Sequence, residues 1–95
     1  MAAEKLERTY PGRDSRQIYD ALLGRLGEVA AHYKLKVEGD PGALSIRVHR
    51  PGADVKAHVI GEKLDVNMDF GWIVPGAIRQ RVKDELAQRL DTLFT

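Results

Sequence analysis

Hydrophobic and polar residues alternate over most of residues 34–70, and this alternation limits the fold more than any other feature. The alternating segments are KLKVEG, ALSIRVHR, ADVKAHVI and EKLDVNMDF, and each is separated from the next by Gly or Pro residues. Successive side chains of a strand point to opposite faces, so a period of two predicts strands with one apolar face. The short separators predict antiparallel hairpins. The sequence therefore predicts an antiparallel sheet that is covered on one face and exposed to water on the other.

The alternation also assigns each residue to a face of this sheet. The covered face collects Leu44, Ile46, Val48, Val55, Ala57, Val59, Leu64, Val66, Met68 and Phe70. The exposed face collects Ser45, Arg47, His49, Asp54, Lys56, His58, Asp65, Asn67 and Asp69. A further short strand is predicted for EKLERTY, residues 4–10, and it would place Leu6, Arg8 and Tyr10 on one face.

Two segments carry apolar residues at helical spacing. The first follows Pro11-Gly12, can be capped by Asp14 or Ser15, and has a stripe of Ile18, Leu22, Leu26, Val29 and Tyr33. Within it, Gly24 and Gly27 predict a kink or a close approach to the sheet. The second begins near Pro75 and has a stripe of Ile78, Val82, Leu86, Leu90 and Leu93, which we expect to be mostly core.

These elements combine into one economical architecture. The chain is predicted to be α+β, with the order β-α-β-β-β-β-α and two helices packed on one face of a curved antiparallel sheet. This order is similar to a reduced helix-grip domain, in which a long C-terminal helix lies against a curved sheet. Since 95 residues with 43% hydrophobic content suffice for one core and little more, residues 1–95 are expected to form a single domain.

Composition excludes several classes of function. Fifteen basic and fourteen acidic residues are scattered along the chain, which gives no electrostatic footprint for nucleic acid. The absence of cysteine excludes disulfides, thiolate nucleophiles and cysteine-ligated metals. The opening MAAEKLERTY lacks the apolar core of a secretory signal, and the apolar run at residues 71–78 is too short to span a bilayer. We expect a cytoplasmic protein with no transmembrane segment and no cofactor.

The chain resembles a known bacterial family around its second helix. The residues that carry the resemblance are a strand running into Phe70-Gly71, the pair Trp72-Ile73, Pro75, and a helix ending at Leu90-Asp91-x-Leu93-Phe94. Upstream, AAHYKLKVEGD is similar to the same family's helix end, strand start and Gly-Asp turn. The family is that of the polyhydroxyalkanoic acid system proteins, small proteins associated by gene neighbourhood with polyester granules. The resemblance implies an accessory role in polyhydroxyalkanoate metabolism and an association with the granule.

The apolar run between strand and helix is the main candidate site. Trp72, Ile73, Val74 and Pro75 could form an exposed edge that docks on a polyester granule or on a granule-associated protein. Alternatively, Trp72 or Ile73 could fold over the start of the helix and pack into the core. Apolar surface left over after folding would favour a homodimer or a cavity.

Two alternatives to docking remain open. A carrier of small apolar ligands would need a pocket between the sheet and the C-terminal helix, lined by Tyr33, Met68, Phe70, Ile78 and Val82. A metal-dependent enzyme would need His49, His58 and a carboxylate close together, although cross-strand charge pairing explains the same residues. Ser15 and Ser45 lack the surroundings of an activated nucleophile, so we expect no catalytic residue. Because cross-strand charge pairing explains His49 and His58, we also expect no metal site.

Overall fold

The alternating segments form the strands of one sheet, and the order of elements is the predicted one. The structure, a computed structural model, describes residues 2–71 and 75–94. Its elements are β1 (Ala2–Thr9), α1 (Ser15–Tyr33), β2 (Lys36–Asp40), β3 (Ser45–Arg50), β4 (Ala53–Ile60), β5 (Lys63–Phe70) and α2 (Gly76–Asp91). The prediction of an α+β chain with the order β-α-β-β-β-β-α is therefore confirmed.

All neighbouring strands of the sheet are antiparallel, in the order β1-β5-β4-β3-β2. Strands β2 to β5 follow one another through hairpins, whereas β1 pairs with β5, the strand farthest from it in sequence. The register aligns one buried row across four strands, made of Leu6, Val66, Ala57 and Ile46. Strands β1 and β2 are the two edges of the sheet.

The core lies between the covered face of the sheet and the two helices. The sheet contributes Leu6, Ile46, Val48, Ala57, Val59, Leu64, Val66, Met68 and Phe70. The helical segments contribute Ile18, Tyr19, Leu22, Leu26, Leu86, Leu90 and Leu93. The predicted covered face is confirmed, although Leu44 and Val55 are only half-buried.

Helix α1 begins at a capping box and lies across β2, β3 and β4. The Asp14 carboxylate accepts a hydrogen bond from the Gln17 amide at 2.8 Å, and the Gln17 side chain accepts one from the Asp14 amide at 3.1 Å. Gly24 and Gly27 are exposed, and a Cβ added to either would have no neighbour within 4 Å. Of the two alternatives predicted for these glycines, a kink or a close approach to the sheet, the close approach is therefore wrong. The helix ends at Lys34, whose φ of 57° is left-handed.

Helix α2 packs along the edge strand β1 and runs in the same direction. Lys83 pairs with Glu4 at 2.7 Å, and Arg8 pairs with Asp91 at 2.6 Å. The eight helical residues from Lys83 to Asp91 and the four strand residues from Glu4 to Arg8 both span about 12–13 Å, so both ion pairs can form at once. Directly after β1, the Tyr10 hydroxyl donates to the Leu90 carbonyl at 2.7 Å, and burial raises the pKa of Tyr10 to about 12.

The register on β1 decides which part of α2 is covered. Lys83 is level with Glu4, whose partner in β5 is Met68, two residues from the end of that strand. Two strand residues span about 7 Å, or four to five residues of a helix, so the first turn of α2 reaches beyond the end of the sheet. The predicted core stripe is confirmed for Leu86, Leu90 and Leu93, which are buried, but it is wrong for Ile78 and Val82, which are exposed. Neither helix within the described ranges has the length and apolarity that a membrane crossing requires.

Candidate docking surface

Exposed apolar side chains gather where α2 begins. Of the four large hydrophobic side chains that are exposed among residues 2–71 and 75–94, three are in this region: Tyr33 (44% exposed), Ile78 (51%) and Val82 (37%). The fourth, Ile60 (57%), lies at the end of β4, at the opposite end of the sheet. We call Tyr33, Pro75, Ile78 and Val82 the α2-start surface. Pro75 and Ile78 face solvent because α2 begins beyond the end of the sheet, whereas Val82 is level with the first residues of β1 and faces solvent there.

Tyr33 joins α1 to this surface through a specific contact. Its hydroxyl donates to the Glu85 carboxylate at 3.0 Å. Glu85 follows Val82 by three residues, and residues so spaced are neighbours on a helix surface. This hydrogen bond and the negative charge of Glu85 raise the pKa of Tyr33 above its ordinary value. The phenol therefore stays neutral at physiological pH, and its exposed ring adds apolar area to this surface.

The predicted docking edge falls only partly on the described chain. Trp72, Ile73 and Val74 lie outside the described residues, and their docking role stays a prediction. Pro75 is exposed and precedes the first residue of α2, and its carbonyl accepts hydrogen bonds from the amides of Ile78 and Arg79, both at 3.1 Å. Its fixed φ suits the start of a helix. The edge is thus continuous in sequence with Ile78 and Val82.

The five residues of the predicted ligand pocket do not share one environment. Met68 and Phe70 are 1–2% exposed and belong to the packed core. Tyr33, Ile78 and Val82 face solvent instead. Two open concavities of about 440 and 260 Å³ lie on the opposite, polar face of the sheet, and of the five residues only Met68 borders either of them. The carrier hypothesis stays a prediction, without an enclosed apolar cavity among these residues to support it.

The two histidines considered as metal ligands are far apart on the polar face. His49 is opposite Asp54, whereas His58 is opposite Ser45 and Asp65. The two rows are four residues apart along the strands, or about 13 Å. Within the described part of the chain, no three His, Asp or Glu side chains are grouped so that they could hold a metal ion.

The row that contains His58 has the residue types of a hydrolase triad. Ser45, His58 and Asp65 are consecutive across β3, β4 and β5. However, no hydrogen bond of 3.5 Å or less joins any two of their side chains, and the buried Asp65 Oδ1 has no hydrogen-bond partner. A nucleophile needs its base and orienting group within hydrogen-bond reach, so this row is not an activated site as it stands.

Charge pairing accounts for much of the polar face. Arg47 donates to Asp54 from Nε at 3.1 Å and from a terminal nitrogen at 2.9 Å. This guanidinium holds the pKa of the Asp54 carboxyl below its usual value. Lys63 lies 3.7 Å from both Glu7 and Asp65. These contacts fit the predicted alternative of cross-strand pairing on a solvated face.

The fold defines a class: an α+β protein with a five-stranded antiparallel sheet and two helices on one face. No family model matches the chain, and no curated protein matches it. Among solved structures, the chain is similar to the crystal structure of TTHA0849 from Thermus thermophilus. The TM-score is 0.61, with 97% of this chain and 91% of that chain covered. At 13% sequence identity the likeness shows the fold alone, so the resemblance to granule proteins stays a prediction.

Proposed function

We propose that this protein is a non-enzymatic accessory protein of polyhydroxyalkanoate metabolism. It acts in the cytoplasm and docks on the polyester granule, or on a granule-associated protein, through the apolar edge Trp72–Pro75 together with Ile78 and Val82. The granule as partner comes from the resemblance at residues 70–94. The docking surface comes from the geometry at the start of α2.

The exposure of Ile78 and Val82 carries this proposal. Both belong to an apolar stripe whose later members are buried, so the same helix face changes from covered to open along its length. Since Ile78 is 51% exposed and Val82 37% exposed, covering each of them would contribute about 1 kcal/mol. Binding of a partner that covers the start of α2 is stabilised by this free energy. Folding of the isolated chain is not, because both side chains stay exposed.

Docking can be tested by co-sedimentation with short-chain and medium-chain polyester particles. The double variant Ile78→Ser/Val82→Ser is expected to bind roughly 30-fold more weakly, because it loses the burial of two partly exposed side chains. Ile60→Ser is the matched control, since Ile60 is equally apolar, is exposed and lies at the other end of the sheet. Control binding should equal that of the wild type.

The fluorescence of Trp72, the only tryptophan, gives a second readout of the same surface. Its emission should shift to the blue and resist quenching when particles are added, and Trp72→Ala should weaken binding. Wild-type binding by the Ile78→Ser/Val82→Ser variant would reject docking at this surface. Concentration-dependent dimerisation that this variant abolishes would instead assign the surface to a homodimer.

A further inference from the structure

Cations without an acidic partner are concentrated at one end of the molecule. Seven of the lysines and arginines in the described chain pair with a carboxylate within 4.0 Å. Of the others, Arg13 stacks on the Phe94 ring, Arg25 donates to the Thr92 carbonyl, and Lys56 lies on the polar face of the sheet. The remaining five are Lys34, Lys36, Arg50, Arg79 and Arg81, which we call the basic rim.

The topology places all members of the basic rim at the same end of the sheet. Lys36 begins β2 and Arg50 ends β3, and these two strand ends are adjacent because Lys36 pairs with His49. Lys34 caps the end of α1 just before β2. Arg79 and Arg81 lie in the first six residues of α2, which follows β5. The end of β5 is opposite the start of β4, which in turn is opposite the end of β3. All five residues therefore lie at the end of the sheet that also carries the α2-start surface.

Carboxylates at the opposite end are occupied by the protein itself. Asp14 caps α1, Asp40 accepts from the amides of Gly42 and Ala43, and Glu62 accepts from the amide of Gly12. Asp91 is paired with Arg8. In a chain with a net charge of only +1, one end of the sheet therefore carries five lysines and arginines outside any ion pair, beside the carboxylate of Asp69 near the end of β5. Helix α2 adds to this asymmetry, since its N-terminus has no acidic residue in the first turn.

We propose that the basic rim binds the headgroups of an anionic phospholipid layer while Ile78 and Val82 insert beneath them. This inference rests on the proposed docking function and specifies the chemistry of the surface that is docked. Each lysine or arginine near an anionic lipid surface contributes about 1 kcal/mol, and apolar side chains on the same helix contribute by leaving water. Nucleic acid would bind the cations but leave Ile78 and Val82 in water. An anionic lipid layer is favoured because it binds the cations and also buries these two side chains.

The test uses the purified full chain and vesicles made of equal parts phosphatidylglycerol and phosphatidylcholine. The wild type is expected to sediment with these vesicles at low salt, to bind at least roughly tenfold more weakly at about 0.5 M salt, and to bind pure phosphatidylcholine poorly. Arg79→Gln/Arg81→Gln should weaken binding roughly 10- to 30-fold, because two charges are removed. Arg16→Gln/Lys56→Gln removes two exposed charges elsewhere and should bind like the wild type.

The outcomes separate this inference from the proposed function. Equal binding to both vesicle types, or wild-type binding by Arg79→Gln/Arg81→Gln, would overturn the lipid assignment. So would binding to duplex DNA with the same charge dependence but not to vesicles. If bare polyester particles bind wild type and this variant equally while vesicles bind neither, granule docking stands and the lipid inference fails. Circular dichroism and urea unfolding of each variant confirm that the fold is intact.

Discussion

At the scale of single residues, Gly39 and Tyr19 fix how closely α1 approaches the edge strand β2. Gly39 lies on the covered face, opposite Ile46. A Cβ at this position would lie 2.6 Å from the Tyr19 hydroxyl and 3.4 Å from a Leu23 methyl. Tyr19 is only 2% exposed, so its ring has little room to move aside. Any side chain with a Cβ at residue 39 would therefore push α1 and β2 apart.

We expect Gly39→Ala to lower the free energy of unfolding by about 1–3 kcal/mol through overpacking. Gly24→Ala is the matched control, because Gly24 is exposed inside α1 and an added methyl meets nothing. The control should raise stability by up to about 1 kcal/mol through helix propensity. Urea denaturation measures both changes. A neutral Gly39→Ala would mean that α1 and β2 are not in close contact at this point.

At the scale of elements, the position of α2 along β1 separates structural from exposed positions on one helix face. The pairs Lys83–Glu4 and Arg8–Asp91 set this position, and the Tyr10 hydrogen bond to Leu90 reinforces it. Each ion pair is partly exposed, so each contributes modestly, and the buried leucines supply most of the packing. The helix is thereby attached by its second half while its first half is presented to solvent.

This attachment makes neighbouring positions of α2 differ in their contribution to stability. We expect Leu86→Ala to reduce the free energy of unfolding by about 2–4 kcal/mol, because Leu86 is buried in the core. Val82→Ala, one turn earlier, should change it by less than about 0.5 kcal/mol. Thermal or urea unfolding gives the comparison. Equal losses of stability for both variants would show that the sheet covers α2 further toward its N-terminus than the pairs Lys83–Glu4 and Arg8–Asp91 indicate.

At the scale of the whole molecule, charge is distributed unevenly between the two ends of the sheet. Carboxylates at one end cap α1, pair with an arginine or accept hydrogen bonds from backbone amides, while the basic rim at the other end has no acidic partner within 4.0 Å among the described residues. Uncompensated like charges and basic residues at a helix N-terminus both oppose folding. A charge arrangement that lowers stability in this way is expected where the surface is needed for function.

Relieving this charge should stabilise the free protein. We expect Arg79→Gln/Arg81→Gln to raise the free energy of unfolding by about 0.3–1 kcal/mol at low ionic strength. Added salt should stabilise the wild type more than it stabilises this variant, since salt screens the same repulsion. Melting temperatures of both proteins at low and high salt provide the measurement. A variant less stable than the wild type would indicate that these arginines have structural partners.

The sequence by itself determined the elements and their faces. Alternation between polar and apolar residues is a local property, and it assigned Ile46, Val59 and Val66 to the covered face without knowledge of the strand pairing. Helical spacing and a possible cap at Asp14 or Ser15 similarly located α1, and Pro75 marked the start of α2. These predictions succeeded because a strand or helix imposes its period on the chain whatever lies next to it.

Only the tertiary structure decided how the elements lie against each other, and the candidate site depends on that arrangement. The stripe of α2 is uniformly apolar, so nothing in its period distinguishes exposed Ile78 and Val82 from buried Leu86. Arg79 and Arg81, with no acidic residue in the first turn, were the available signal. Cations scattered in sequence became a rim because three strand ends and two helix ends meet there. Which face is apolar is encoded locally, whereas which part of it is covered depends on contacts between distant residues.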